Sequence, residues 1–130
     1  MTRSLRLRRC RDERGSATVE FVIGAALMVV LLLVIVQFAV YFHMRSVAQT
    51  AARHGIDRVR VVDGSEQAGI AAASEFLDQG GSSLEDRDVS ALRTDVESSM
   101  SVSGTVVSII PGLNLRVEVT VDAPTERITP

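Results

Sequence analysis

The 130-residue sequence has no lysine and no tryptophan, one cysteine, one tyrosine, two histidines and three prolines. Each scarcity removes a class of answer. The single thiol, Cys10, allows neither an intramolecular disulfide nor a cysteine metal cluster. No apolar stretch precedes it, so it does not look like a lipoprotein acylation site, and we take it as an incidental thiol. All fourteen basic residues are Arg, which we attribute to coding bias rather than to chemistry. The Arg-rich N-terminus has neither aromatics nor a fold around it, so nucleic acid is not expected as a partner. No P-loop, dinucleotide fingerprint or zinc spacing occurs, and no Ser-His-Asp arrangement has support. His43 and His54 share a helical face but stand about 16 Å apart along it, too far to hold one metal ion. Asp86, Asp88, Asp95 and Glu97 follow no calcium-loop pattern and read as a solvated acidic surface. The chain is expected to have no catalytic residue, metal or cofactor, and to be no enzyme.

What the sequence does have is one long apolar run. From Phe21 to Val36 no charged or strongly polar residue occurs, Gln37 interrupts, and Phe38 to Phe42 resumes. At about 1.5 Å per helical residue, a span over about 21–42 covers roughly 33 Å, enough for a ~30 Å hydrocarbon core. A helix apolar all round has little use in a small soluble domain. We expect one transmembrane helix, carried by Phe21, Leu31, Phe38 and Phe42 among others. Gln37 either bonds a partner helix or sits at the outer interface, where Tyr41, Phe42 and His43 suggest the headgroup level.

Charge sets the direction. Six Arg precede the run, against four within about twenty residues after it (Arg45, Arg53, Arg58, Arg60), so the N-terminus is expected in the cytoplasm and the rest outside. The run is too long for the apolar core of a secretory signal peptide, and no small-residue cleavage site follows it. Before it, a basic leader ends in Gly15, followed by Ser16. Glu20 stands four residues on, at the mouth of the span, where an ionisable group calls for a function or a partner. Two accounts remain for Glu20. It is either an acid near a helix start capped by Ser16, or one half of a salt bridge to a neighbouring subunit. Ser16, Glu20 and Gly24 share a helical face, and small residues there permit close helix approach.

Helical spacing continues past the membrane. Ala48, Ala51, Ala52, Gly55, Ile56 and Val59 form one stripe of mostly small residues, opposite Arg45, Gln49, Arg53 and Arg60. One helix is expected from about Ser16 to about Val59. Asp63-Gly64-Ser65 is a turn, and Ser65 to Asp78 is a second helix, with Ser65 as its N-cap and Ile70, Ala73, Phe76 and Leu77 on its apolar side. Residues 84–99 fit a helix through Val89, Leu92 and Val96, or a loop nearly as well. Leu113 to Asp122 alternates as a half-buried strand, Ser101 to Ile110 is its expected partner, and Pro111-Gly112 the turn. The hairpin needs a surface to cover, on either helix or on another subunit. The expected organisation is a leader over 1–15, a long helix over 16–60, and a small α+β headpiece over 61–130.

The stretch Gly-Ser-Ala-Thr-Val-Glu-Phe at Gly15 to Phe21 resembles the N-terminus of type IV pilin-like precursors. With the apolar run, Ala-Ala-Arg-His-Gly at Ala51 to Gly55, the hairpin and the ending Ala123 to Ile128, the layout is similar to the TadE-like family, actinobacterial members included. That family comprises minor pilins or pseudopilins of the Tad (Flp) pilus system. The resemblance implies cleavage by a prepilin peptidase between Gly15 and Ser16, with Glu20 the fifth residue of the mature chain. It also implies other pilin or pseudopilin subunits as partners, for which the face shared by Glu20 and Gly24 is the expected assembly surface, and residence in the cytoplasmic (inner) membrane or a pilus. Ser16 departs from the aromatic or Met of many mature type IV pilins. The alternative is an uncleaved single-pass anchor whose exported domain binds a partner of a secretion or envelope system.

Overall fold

A computed structural model describes residues 13–127. Most of the Arg-rich leader, with Cys10, and the last three residues lie outside the described residues. Contacts divide the chain into two units at Leu33 and Val34.

Helix α1 runs Glu13–Val59. Ser16 therefore lies inside the helix and is not its N-cap, because helical backbone already extends three residues upstream. Leu, Ala, Met and Val without an interrupting Pro carry the helix through. In the first unit, every residue from Gly15 to Leu33 is exposed.

In the second unit, the small-residue stripe of α1 is buried without exception. Ala48, Ala51, Ala52 and Val59 have no exposed surface, and Ile56 and Gly55 are buried with them. Helix α2, Glu66–Gly80, starts where Ser65 Oγ accepts the Ala68 N–H at 3.2 Å. It ends where the Gly81 N–H returns to the Leu77 carbonyl at 2.7 Å. The helices approach through Gly55 and Gly69. A Cβ on Gly55 would meet the Gly69 carbonyl oxygen at 2.9 Å and the Met100 Cε at 2.6 Å.

The hairpin is part of a three-stranded antiparallel sheet in the order β1-β2-β3, with β1 at Leu84–Arg93, β2 at Glu97–Val106 and β3 at Leu115–Pro124. Residues 84–93 are thus neither helix nor loop. Leu84 pairs with Val106, then the register shifts between Glu85 and Asp88, where Asp86 takes φ +47°. The strand then resumes with Val89 opposite Val102. Central β2 sends Met100, Val102 and Val106 into the core beside Leu77 and Ala73 of α2 and the stripe of α1. On β3, Val117 is buried and Leu115, Val119 and Val121 half-buried, while Arg116, Glu118, Thr120 and Asp122 are exposed. The sheet covers its apolar face with the helices of its own chain.

Candidate membrane-anchoring and assembly segment

The segment expected to function in the membrane is the N-terminal part of α1. It is the one helix among the described residues long and apolar enough to cross a bilayer, with mean hydropathy reaching 3.0 in its most apolar stretch. Its large side chains face outward: Phe21 is 76% exposed and Leu31 58%. Exposed apolar surface of this extent marks a membrane or protein contact. Beyond Leu33, Phe38 and Phe42 are also exposed, and Phe42 meets half-buried Tyr41 edge to face, ring centroids 5.5 Å apart.

Gly15, Ser16, Glu20 and Gly24 all lie on exposed helix surface. Among the described residues, Glu20 makes no hydrogen bond or ion pair. A Cβ on Gly15 or Gly24 would meet nothing within 4 Å. The contrast with Gly69 is direct: a Cβ there would collide with the Val59 side chain and come within 2.9 Å of the Gly55 carbonyl oxygen. The first two glycines answer no need of their own fold, and the third does.

Gln37 is buried within its own chain, where its side-chain amide finds its partners. It is 1% exposed, covered by the connection between β2 and β3. Its Oε1 accepts the Ile109 N–H at 2.7 Å and lies 3.4 Å from the Ser108 hydroxyl oxygen, and its Nε2 donates to the Val107 carbonyl at 3.4 Å. One face of the expected span is thus occupied at its outer end.

Arg93 is a residue that the sequence alone does not single out. It projects from the end of β1 onto the C-terminus of α1, where carbonyl oxygens have no helical partner. Its Nη1 reaches the carbonyls of Val59, Val61 (2.8 Å) and Gly64 (2.9 Å), and Nη2 that of Val62 (3.3 Å). The Glu66 carboxylate accepts the Arg93 backbone N–H at 2.8 Å. A cation at this pole also complements the helix dipole. The sequence offers one faint signal, an Arg just before a turn residue.

The remaining candidates are not brought together. His43 is exposed, and the His54 ring stacks on Phe76 at 5.0 Å. Asp86, Asp88, Asp95 and Glu97 are exposed, and no group of three or more potential metal ligands occurs among the described residues. A shallow cleft between α2 and β1 is lined by Ile70, Ser74, Leu77 and Val89, with Asp78 and Arg87 paired at its rim at 3.1 Å. It presents no nucleophile with a base.

No curated protein and no solved structure matches the chain. Residues 15–57 match the family model described as TadE-like protein, the family that the motif at Gly15 to Phe21 resembles.

Proposed function

We propose that the chain is a TadE-like minor pilin or pseudopilin acting in assembly of a Tad (Flp) pilus. Its N-terminal helix anchors it in the cytoplasmic membrane, with the leader inside and the α+β headpiece outside. A prepilin peptidase cuts between Gly15 and Ser16, and Glu20 then pairs with the new α-amino group of Ser16 on a neighbouring subunit. Such a pair neutralises two charges in a medium of low dielectric and sets the axial register between subunits. The role is structural rather than catalytic. The observation that carries this reading is that the family match begins at Gly15, a position where the chain's own packing asks for no glycine. The exposed carboxylate of Glu20 without an intrachain partner among the described residues supports the second half.

One observation favours the alternative of an uncleaved single-pass anchor with a partner-binding headpiece. The Gly15–Ser16 bond lies within helical backbone, which a peptidase must first unwind. The test is the N-terminal residue of the protein extracted from its own membrane, read by intact mass. A start at Ser16 is expected. A start at Met1 or Thr2 in cells with an active prepilin peptidase makes the protein an anchor, and a start beyond Tyr41 makes the helix a discarded signal. Gly15→Leu, which the open space around Gly15 accommodates, is expected to insert normally and remain unprocessed.

A further inference from the structure

The connection between β2 and β3 has a composition unsuited to water. It reads Val-Ser-Ile-Ile-Pro-Gly-Leu from Val107 to Leu113, and no charged residue occurs anywhere between Glu97 and Arg116. Val107 is 41% and Ile109 49% exposed, with Pro111 and Gly112 open beside them. A tip that served only to turn the chain in water would gain nothing from these aliphatic side chains.

Part of its backbone is fastened to the rest of the chain and part to itself. The Val107 N–H bonds the Ser83 carbonyl at 2.9 Å, and the Ile109 N–H bonds Gln37 Oε1. The Ile110 N–H bonds Ser108 Oγ at 3.2 Å, whose hydroxyl donates to the Ile110 carbonyl at 2.7 Å. The turn Ile110-Pro111-Gly112-Leu113 is fastened by the Leu113 N–H to the Ile110 carbonyl at 3.2 Å, with Gly112 at φ +83° and Pro111 bringing no N–H at all. A loop in water can leave such groups to solvent. Here the N–H groups of Ser108 and Gly112 have no partner among the described residues, which keeps the tip at the hydrated headgroup level and out of the hydrocarbon core.

Gln37 fixes where this tip sits. It is three residues past Val34 on α1, with exposed Phe38 directly after it and exposed Phe42 little more than a turn further on. Aromatic rings of this kind collect at membrane interfaces. We propose that the tip of the β2–β3 connection enters the headgroup–acyl boundary of the bilayer as a second lipid contact beside α1. The proposal rests on the membrane-spanning reading of α1. It puts the outer boundary at Gln37 and draws the lipid-crossing stretch back to about 15–36, still roughly 33 Å of helix.

The test uses the full-length chain in phosphatidylcholine–phosphatidylglycerol vesicles, in a Cys10→Ser background. A fluorescent label is placed through Ile109→Cys, Glu118→Cys or Met28→Cys, all exposed positions. Aqueous iodide is expected to quench the label at position 109 several-fold less than that at 118. A nitroxide near the headgroup is expected to quench it more than one at the chain centre. Val107→Cys repeats the measurement on the same tip if the first variant misfolds. Equal iodide quenching at 109 and 118, with the label at 28 quenched by the deep nitroxide, overturns the proposal and leaves the helix in the membrane. Shielding at 109 without nitroxide quenching, lost when protein is diluted into excess lipid, assigns the tip to a second copy and also overturns it. A label at 28 untouched by the deep nitroxide removes the spanning helix, and the tip contact with it.

Discussion

Gly69 of α2 lies against Val59 of α1 so closely that a Cβ on the glycine would overlap the valine side chain. The same Cβ would come within 2.9 Å of both the Gly55 carbonyl oxygen and the Met100 Cε. The two glycines are what lets α2 seat on the stripe of α1. The thioether of Met100 at the centre of the sheet fills the space over them, and Met adapts well to such gaps.

Gly69→Ala is therefore expected to destabilise the headpiece by about 1–3 kcal/mol, the usual cost of overpacking. Gly15→Ala and Gly24→Ala, with open space around both positions, are expected to leave it unchanged or to strengthen the helix by up to about 1 kcal/mol. Thermal melts of the detergent-solubilised chain measure all three. Coincident melts for wild type and Gly69→Ala would mean that α2 shifts freely on α1.

Arg93→Ala removes the group that gathers the carbonyl of Val59, the last residue of α1, with those of the turn after it, and the expected loss is about 1–3 kcal/mol. Arg60 provides the internal comparison. Its contacts to Asp57 at 3.1 Å and Glu126 at 3.6 Å are exposed, so Arg60→Ala is expected to cost less than about 1 kcal/mol. If the two variants melt together, Arg93 is an ordinary surface cation.

Gln37→Leu keeps the volume and takes away the acceptor of the Ile109 N–H. The Ile109 amide is expected to exchange with solvent deuterium about tenfold faster or more, since a buried donor without a partner loses 1–3 kcal/mol. Amides in the middle of β2 should exchange as before. Unchanged exchange at Ile109 would show that the tip holds its shape without the helix.

Glu20→Ala is expected to insert and be processed normally, yet to fail in assembly, scored as co-isolation with partner pilins after crosslinking in the membrane. Glu20→Gln separates charge from size, and it should fail equally if an ammonium is the partner. Full assembly by either variant removes the inter-subunit pair.

The long helix was legible because its residues announce it twice, by an uninterrupted apolar run and then by small residues at helical spacing. The Ser65 cap and the alternation of β3 were equally plain. Strand β1 was hidden by its own irregularity. Leu84 points into the core, the register shifts between Glu85 and Asp88, and after it Val89 and Ala91 take the inner side. An added residue reverses the phase of a two-residue period, so alternation across 84–93 cannot be seen. Leu92 and Val96, which suggested a helix together with Val89, are exposed. Gln37 was noticed as an interruption, but its partner lies 72 residues later in the chain, and no local pattern reveals that. Glu20 and Gly15 are the reverse case. They stand out in sequence, and among the described residues the fold of one chain gives neither of them a partner.

Gln37 and Arg93 also bear on how the headpiece would respond to a pull. One fastens the β2–β3 tip near the start of the headpiece-bearing part of α1, and the other fastens β1 at its end, some 33 Å along the axis. The headpiece is riveted at both ends of its helix, with the stripe of alanines as the seam between. A pull that lifts one end must break the rivet there before it can run along the seam, and it then meets the second rivet at the far end. Only a pull along the helix axis loads both rivets and the seam at once, as shear loads a joint.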